Sequence, residues 1–260
     1  MFKPMKPYSF LILLAALIVF SCKNESHEST ATTLADSVGA ADNPQHSHEL
    51  VDSVIFHIGK HEFEISKSNV IDFNAVPDPF QIKDTSELNR IQKNAPAVSR
   101  NGDSLVFMCV NHQTVYLINN KDGDDIDNYS VYTFIQDMPQ INQWLIMAYY
   151  YEAFGYVLID KASGDSTMLY GMPVVSPDNK YMITFNQDME AGFTFNGFQL
   201  FEIKNFKPVQ LGDKELYTWG PDNVKWKDAH TLLVQQSLTK DDFTTSERSI
   251  ETEYVQIKMK

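Results

Sequence analysis

From Val54 to Met259 the apolar residues come in short runs, many of them alternating with polar ones. Alternation with a period of two is the mark of a strand with one buried face, and β-branched and aromatic residues dominate the runs. Val54–Ile65 (VIFHIGKHEFEI) holds two such runs around Gly59-Lys60 and predicts a hairpin. Further on, LVFMCVN (105–111), WLIMAYYY (144–151), YMITFN (181–186) and TLLVQQS (231–237) predict four more strands. Each is followed, after a turn, by a second apolar strand: TVYLIN (114–119), YVLID (156–160), FQLFEI (198–203) and EYVQIKM (253–259). No stretch keeps a helical period for more than about ten residues, so the pattern predicts an all-β body.

These strand pairs recur roughly every forty residues, the spacing of a repeated supersecondary unit. The turns before them carry suitable chemistry. Pro177 fixes φ at the second position of a tight turn, Asp178-Asn179 tolerate the left-handed conformations that follow, and Asn101-Gly102 gives the same relief through glycine. The lead Ser176-Pro177-Asp178-Asn179-Lys180-Tyr181, and more loosely Ser99-Arg100-Asn101-Gly102-Asp103, resembles the SPDGK turn of TolB-like and WD-type β-propeller blades. WKDAHTLL (226–233) is similar to a related blade opening, whereas residues 140–147 lack the Pro-Asp pair. The resemblance covers about residues 95–260 and implies a propeller-like domain of four to five small blades. A strand from 51–66 beside EYVQIKM would close the otherwise open edge. The same strands would also build an antiparallel β-sandwich, the alternative fold.

Residues 1–50 read differently. Lys3 and Lys6 precede an apolar run from Phe10 to Phe20, and Ser21-Cys22 ends it. About a dozen apolar residues are too few for a mature membrane span, which needs ~20. Val19-Phe20-Ser21-Cys22 resembles the lipobox of a bacterial lipoprotein signal peptide, with Phe20 departing from the commonest pattern. The resemblance implies removal of residues 1–21, lipidation of Cys22 and anchoring in the cell envelope as an outer-membrane lipoprotein. Lys23 followed by Glu25 and Glu28 resembles the surface-export signal of some such lipoproteins. Residues 22–50 are polar with scarcely an apolar pair, the composition of a flexible tether, and 51–260 form the body.

Charge narrows the partners. With 34 acidic against 21 Lys and Arg residues, the net charge is -13. Nucleic acid is therefore not an expected partner, because phosphate binding needs a basic footprint. An acidic body is also repelled by anionic lipid, so the expected membrane attachment is the lipid anchor alone.

Candidate chemistry is sparse. Catalytic signatures such as GxSxG and HExxH, phosphate-cradling loops and dinucleotide fingerprints are all missing, and no cofactor is expected. Cys109 lies mid-strand among apolar neighbours and reads as a buried, inert thiol. Asp122, Asp124 and Asp127 crowd one turn and are candidate calcium ligands, although the spacing is not that of an EF-hand. His27, His46 and His48 in the tether, and His57 and His61 at the first hairpin, read as solvated side chains. Tyr149 and Tyr151 share a strand face and are candidate ligand-binding residues for a glycan or a protein partner. Asp178 is another, and with Asp103 and Asp228 it could ring one end of the domain as acid and base for glycoside hydrolysis. The expected function is a lipid-anchored binding or interaction module. The alternatives are a surface carbohydrate-active enzyme and a structural or assembly lipoprotein.

Overall fold

The structure, a computed structural model, describes residues 54–79, 82, 84–121, 128–242 and 247–260. Cys22, the polar segment to residue 50 and the carboxylates Asp122, Asp124 and Asp127 lie outside the described residues.

The elements in chain order are β1 (Val54–Ile58), β2 (His61–Lys67), α1 (Val70–Ala75), α2 (Glu87–Lys93), β3 (Val98–Asn101), β4 (Ser104–Met108) and β5 (Thr114–Ile118). Then follow β6 (Ser130–Met138), β7 (Gln143–Tyr150), β8 (Ala153–Asp160), β9 (Ser166–Leu169), β10 (Met172–Val175) and β11 (Tyr181–Asn186). The remaining strands are β12 (Gly197–Lys204), β13 (Lys207–Glu215), β14 (Trp219–Trp226), β15 (Thr231–Asp242) and β16 (Glu247–Met259). Apart from two short α-helices and one 3-10 turn the described residues are all-β, as the alternation predicts.

The strands form four antiparallel sheets, none closed on itself, in the orders β3-β4-β5, β6-β7-β8-β9, β10-β11-β12-β13 and β1-β2-β16-β15-β14. The first three sheets are sequential meanders. The fourth joins the two ends of the body: β2 lies beside β16 with Ile65 opposite Ile257 and Phe63 opposite Met259. This is the pairing expected from 51–66 and EYVQIKM. Gly59 makes the β1–β2 turn at φ +58°, and a Cβ there would run into the carbonyl of Leu211 on β13.

Three apolar clusters fix how neighbouring sheets face one another. Phe107, Phe134, Trp144, Leu105 and Ile159 join the first sheet to the second. Leu145, Leu158, Leu169, Met182 and Phe201 join the second to the third. Ile183, Phe198, Val224, Trp226, Leu232 and Ile257 join the third to the fourth, where the Trp226 indole also donates to the Val174 carbonyl at 3.0 Å. Alternation sends successive residues of the second and third sheets into clusters on opposite faces, as with Trp144 and Leu145 of β7 or Met182 and Ile183 of β11, so these sheets are buried on both sides and their strands read as apolar runs.

The short helices patch the faces that the sheets leave open. In α1, Asn69 caps the first turn by accepting from the Asp72 amide at 2.9 Å, and Phe73 packs on Tyr254 of β16 with ring centroids 5.3 Å apart. In α2, Glu87 receives a two-pronged bond from Arg100 of β3 at 3.0 and 2.6 Å. The same carboxylate accepts from the Phe134 amide of β6 at 2.8 Å, so one ion pair ties the helix to two sheets.

Strand polarity corrects one expectation from the repeat. The turns holding Asp178 and Asp228 join first to second strands of the third and fourth sheets. The 101–103 turn joins β3 to β4, and β6 is the next described strand after β5, with Asn120 bridged to Ser130 at its start. Following the antiparallel directions, Asp103 therefore sits at the opposite end of the sheets from Asp178 and Asp228, and the three do not ring one end. Among the described residues the first sheet has three strands, so its turn falls out of phase with the others although its local sequence is alike.

Candidate functional site

The end of the sheets that carries the β7–β8, β9–β10, β11–β12 and β13–β14 connections also carries a cleft of about 450 Å³. That volume lies within the ~300–1,000 Å³ of ordinary small-molecule sites. Its walls come from the second, third and fourth sheets: Phe154 and Tyr156 of β8, Met172 and Val174 of β10, Phe185 and Asn186 at the end of β11, and Pro221 to Val224 of β14. Asp78 and Pro79, just beyond α1, form the remaining side with Gln187.

Aromatic rings face the cleft because the strands that supply them reach their ends there. Burial, with Tyr149 nearby, pushes the Tyr156 phenol above its ordinary value, so this group stays neutral and contributes a ring rather than a charge. The polar rim is built by a β-bulge. Pro221 pairs with Gln236 and Asn223 with Gln235, which leaves Asp222 as the extra residue of β14. A bulge redirects the side chain it carries, and Pro221 is tolerated because β14 is the edge of its sheet. Asp222 is held by one oxygen, which accepts from the Ser237 hydroxyl at 2.6 Å.

Beneath the rim lies Lys225, whose side chain is 6% exposed. Its ammonium donates to the carbonyls of Val76 at 3.0 Å and Phe73 at 3.4 Å, and stands 4.2 Å from the centre of the Phe73 ring. It also pairs with Asp78 at 3.4 Å, and the Asn223 amide donates to that same carboxylate oxygen at 3.3 Å. A buried charge must be compensated. Here the compensation clamps the end of α1 onto the fourth sheet and fixes Asp78 at the cleft.

The β11–β12 connection is equally pinned. The Asp188 carboxylate accepts from the amides of Gly192 at 2.9 Å and Thr194 at 2.6 Å and from the Thr194 hydroxyl at 2.7 Å. Burial works against ionisation of Asp188, but the Thr194 hydroxyl and these amides outweigh it and hold the carboxyl below the usual range. Asn196 donates to the carbonyls of Leu216 at 2.6 Å and Trp219 at 3.0 Å, docking the loop onto the start of β14. Gly220 permits that approach, since a Cβ there would lie 2.5 Å from Cγ of Gln187 and 2.6 Å from Oδ1 of Asn196. The Asn186 amide donates to the Thr194 hydroxyl at 2.9 Å and the Phe195 carbonyl at 2.8 Å.

The residues singled out in the sequence are distributed around this cleft rather than in it. Tyr149 and Tyr151, 42% and 53% exposed, sit at the β7–β8 turn on the same end, beside Phe154 but outside the lining. Asp178 is at the far end and serves its own turn: it accepts from the Ser176 hydroxyl at 2.7 Å and the Lys180 amide at 3.2 Å. Burial opposes its ionisation, and these donors together with the Lys180 ammonium outweigh it and lower its pKa. Asp228 accepts from the His230 amide at 2.8 Å, and Asp103 pairs with Lys121 at 3.1 Å. Cys109 is buried, and desolvation followed by the nearby Asp160 charge raises its pKa. Among the described residues no group of three or more His, Cys, Asp and Glu side chains could hold a metal ion.

Sequence reasoning missed Phe154, Phe185, Asp222 and Asn223. The one local signal was Pro221 before Asp222-Asn223, a mark of an edge or a bulge where a strand is present. No family model, no curated protein and no solved structure matches the chain.

Proposed function

We propose that the protein is a lipid-anchored envelope protein whose body is a four-bladed, propeller-like binding module, with the inter-sheet cleft as its ligand site. The fold part of this reading draws support from the order of the sheets. Each meander follows its neighbour in sequence and packs on it, and an N-terminal strand completes the final blade beside β16, as the repeat leads with Ser176-Pro177-Asp178 imply. The anchor rests on Val19-Phe20-Ser21-Cys22 and the polar segment behind it.

The observation that carries the binding function is the cleft itself: three aromatic rings and a bulge-presented carboxylate converge where four connections meet, on walls locked by Asp188, Asn196 and Lys225. Preorganised aromatic and polar groups suit recognition, because little ordering is left for binding to impose. Glycoside hydrolysis has less support, since Asp103, Asp178 and Asp228 occupy two different ends and each is engaged locally.

The test is a ligand screen on the purified lipidated protein in detergent, with glycan, peptide and small-metabolite panels read by thermal shift. A ligand that stabilises the protein, is recovered unchanged and no longer binds Phe154→Ala supports the module. Cleavage of a glycan that stops on replacing a cleft carboxylate would establish the enzyme instead.

A further inference from the structure

The cleft of the proposed module offers hydrogen-bonding groups of both kinds. The Asn223 amide nitrogen is taken up by Asp78, and the Asn186 amide nitrogen by Thr194 and Phe195. Among the described residues the side-chain oxygens of Asn186 and Asn223 and the second oxygen of Asp222 have no partner. No buried side-chain nitrogen or oxygen lacks one, so these three oxygens are open to water. These three are acceptors, while the Gln187 amide nitrogen and the Tyr156 hydroxyl, which also line the cleft with no partner among the described residues, can donate.

Charge, by contrast, is one-sided. No Lys, Arg or His is among the lining residues. The nearest ammonium, that of Lys225, is directed beneath the rim onto two backbone carbonyls and Asp78. It neutralises Asp78 and leaves Asp222 as the uncompensated charge. The Ser237 hydroxyl fixes the Asp222 carboxylate in place, and the bulge turns it out of the ladder. Phe154, Tyr156 and Phe185 add ring faces, whose quadrupoles attract cations.

We infer that the cleft binds a cationic amine: a small organic ligand with a protonated nitrogen on an apolar body. An ammonium brings three donors for the free oxygens of Asn186, Asn223 and Asp222, and its charge offsets that of Asp222. A sugar hydroxyl could use the same groups but would leave the Asp222 charge unpaired. An anion meets Asp222 with nothing to offset it. The apolar body lies over Met172 and Val174, and the charged nitrogen lies between Asp222 and the rings. The inference rests on the cleft being a ligand site and adds to that reading the class of ligand.

Three probes of one shape separate the possibilities: benzylamine, benzyl alcohol and benzoate, titrated into the full lipidated protein by calorimetry. Benzylamine binds, benzyl alcohol binds about tenfold more weakly or not at all, and benzoate does not bind. Asp222→Asn, which keeps an acceptor for Ser237, lowers benzylamine affinity to that of the alcohol with the melting temperature unchanged. Raising salt weakens the amine and leaves the alcohol as it was. Equal binding of amine and alcohol, no benzylamine binding up to its solubility limit, or an Asp222→Asn variant that binds as before would each overturn the inference. If benzylamine fails while a neutral glycan from the wider screen binds and is lost in Phe154→Ala, the module stands and only its ligand class is wrong.

Discussion

Lys225→Met removes the ammonium and keeps most of the stem that lies on Phe73. In the native protein that ammonium donates at 3.0 Å to the Val76 carbonyl, with Phe73 O and Asp78 each at 3.4 Å. Met leaves these groups without their charged donor. A hydrogen bond to a charged group contributes about 1.5–3 kcal/mol. The two longer contacts add less, since attraction falls with distance and Asp78 is half-exposed, so the expected loss is about 2–3 kcal/mol. For a body of this size that is a fall of about 5–10 °C in melting temperature. Denaturant unfolding of the variant against Lys227→Met gives the comparison. Lys227 is exposed and donates only to Gln256 at 3.2 Å, so its replacement costs less than about 0.5 kcal/mol. Amide exchange over residues 70–78 should quicken in Lys225→Met alone, because the clamp holds α1 as well as the cleft wall. A Lys225→Met variant as stable as the wild type would mean that the ammonium is solvated and the clamp does not exist.

Other expectations test separate parts of the structure. Glu87→Ala leaves the Arg100 guanidinium with only the Tyr132 carbonyl and the Phe134 amide without its partner, and should cost about 2–3 kcal/mol by chemical denaturation. Asp188 has a folded-state pKa below its unfolded value, so its contribution is complete above the ordinary carboxylate range and is lost as pH falls through the lowered value. Asp188→Asn should therefore flatten stability against pH in that acid window, as followed by unfolding at a series of pH values. The Cys109 thiol should resist an aromatic disulfide reagent in the native protein and react at once in denaturant, because it is buried and its pKa is raised. Cys22→Ser should release the protein from the membrane fraction on cell fractionation; retention as before would remove the lipid anchor from the proposed function.

The strands were legible because each core face repeats with a period of two. YMITFN is β11 residue for residue, and FQLFEI and EYVQIKM lie within β12 and β16. The β1–β2 hairpin was legible from Gly59, and its partner from the need to cover an edge. What was hidden depends on three dimensions. The 99–103 turn looks like the 176–180 turn, but phase within a sheet is set by how many strands precede it, which local sequence does not record. The short helices hide because six or seven residues barely make two turns, and their stability comes from partners such as Phe134 and Lys225 far along the chain. The cleft escaped because it gathers residues from positions 78 to 224. Tyr149 and Tyr151 announced an aromatic end, yet Phe154 and Tyr156 of the next strand are the nearby rings that reach the cavity.

The β2–β16 seam has a kinetic consequence. Ile65 and Ile257 meet across about 190 residues of intervening chain, so the loop-closure entropy of that contact is recovered only after the sheets between them have formed. The first hairpin therefore waits, with the flank of β2 unpaired, while the rest of the body assembles. During that interval it is the segment most open to capture by another copy's β16, and intertwined dimers formed by such an exchange should become commoner as refolding is carried out at higher protein concentration.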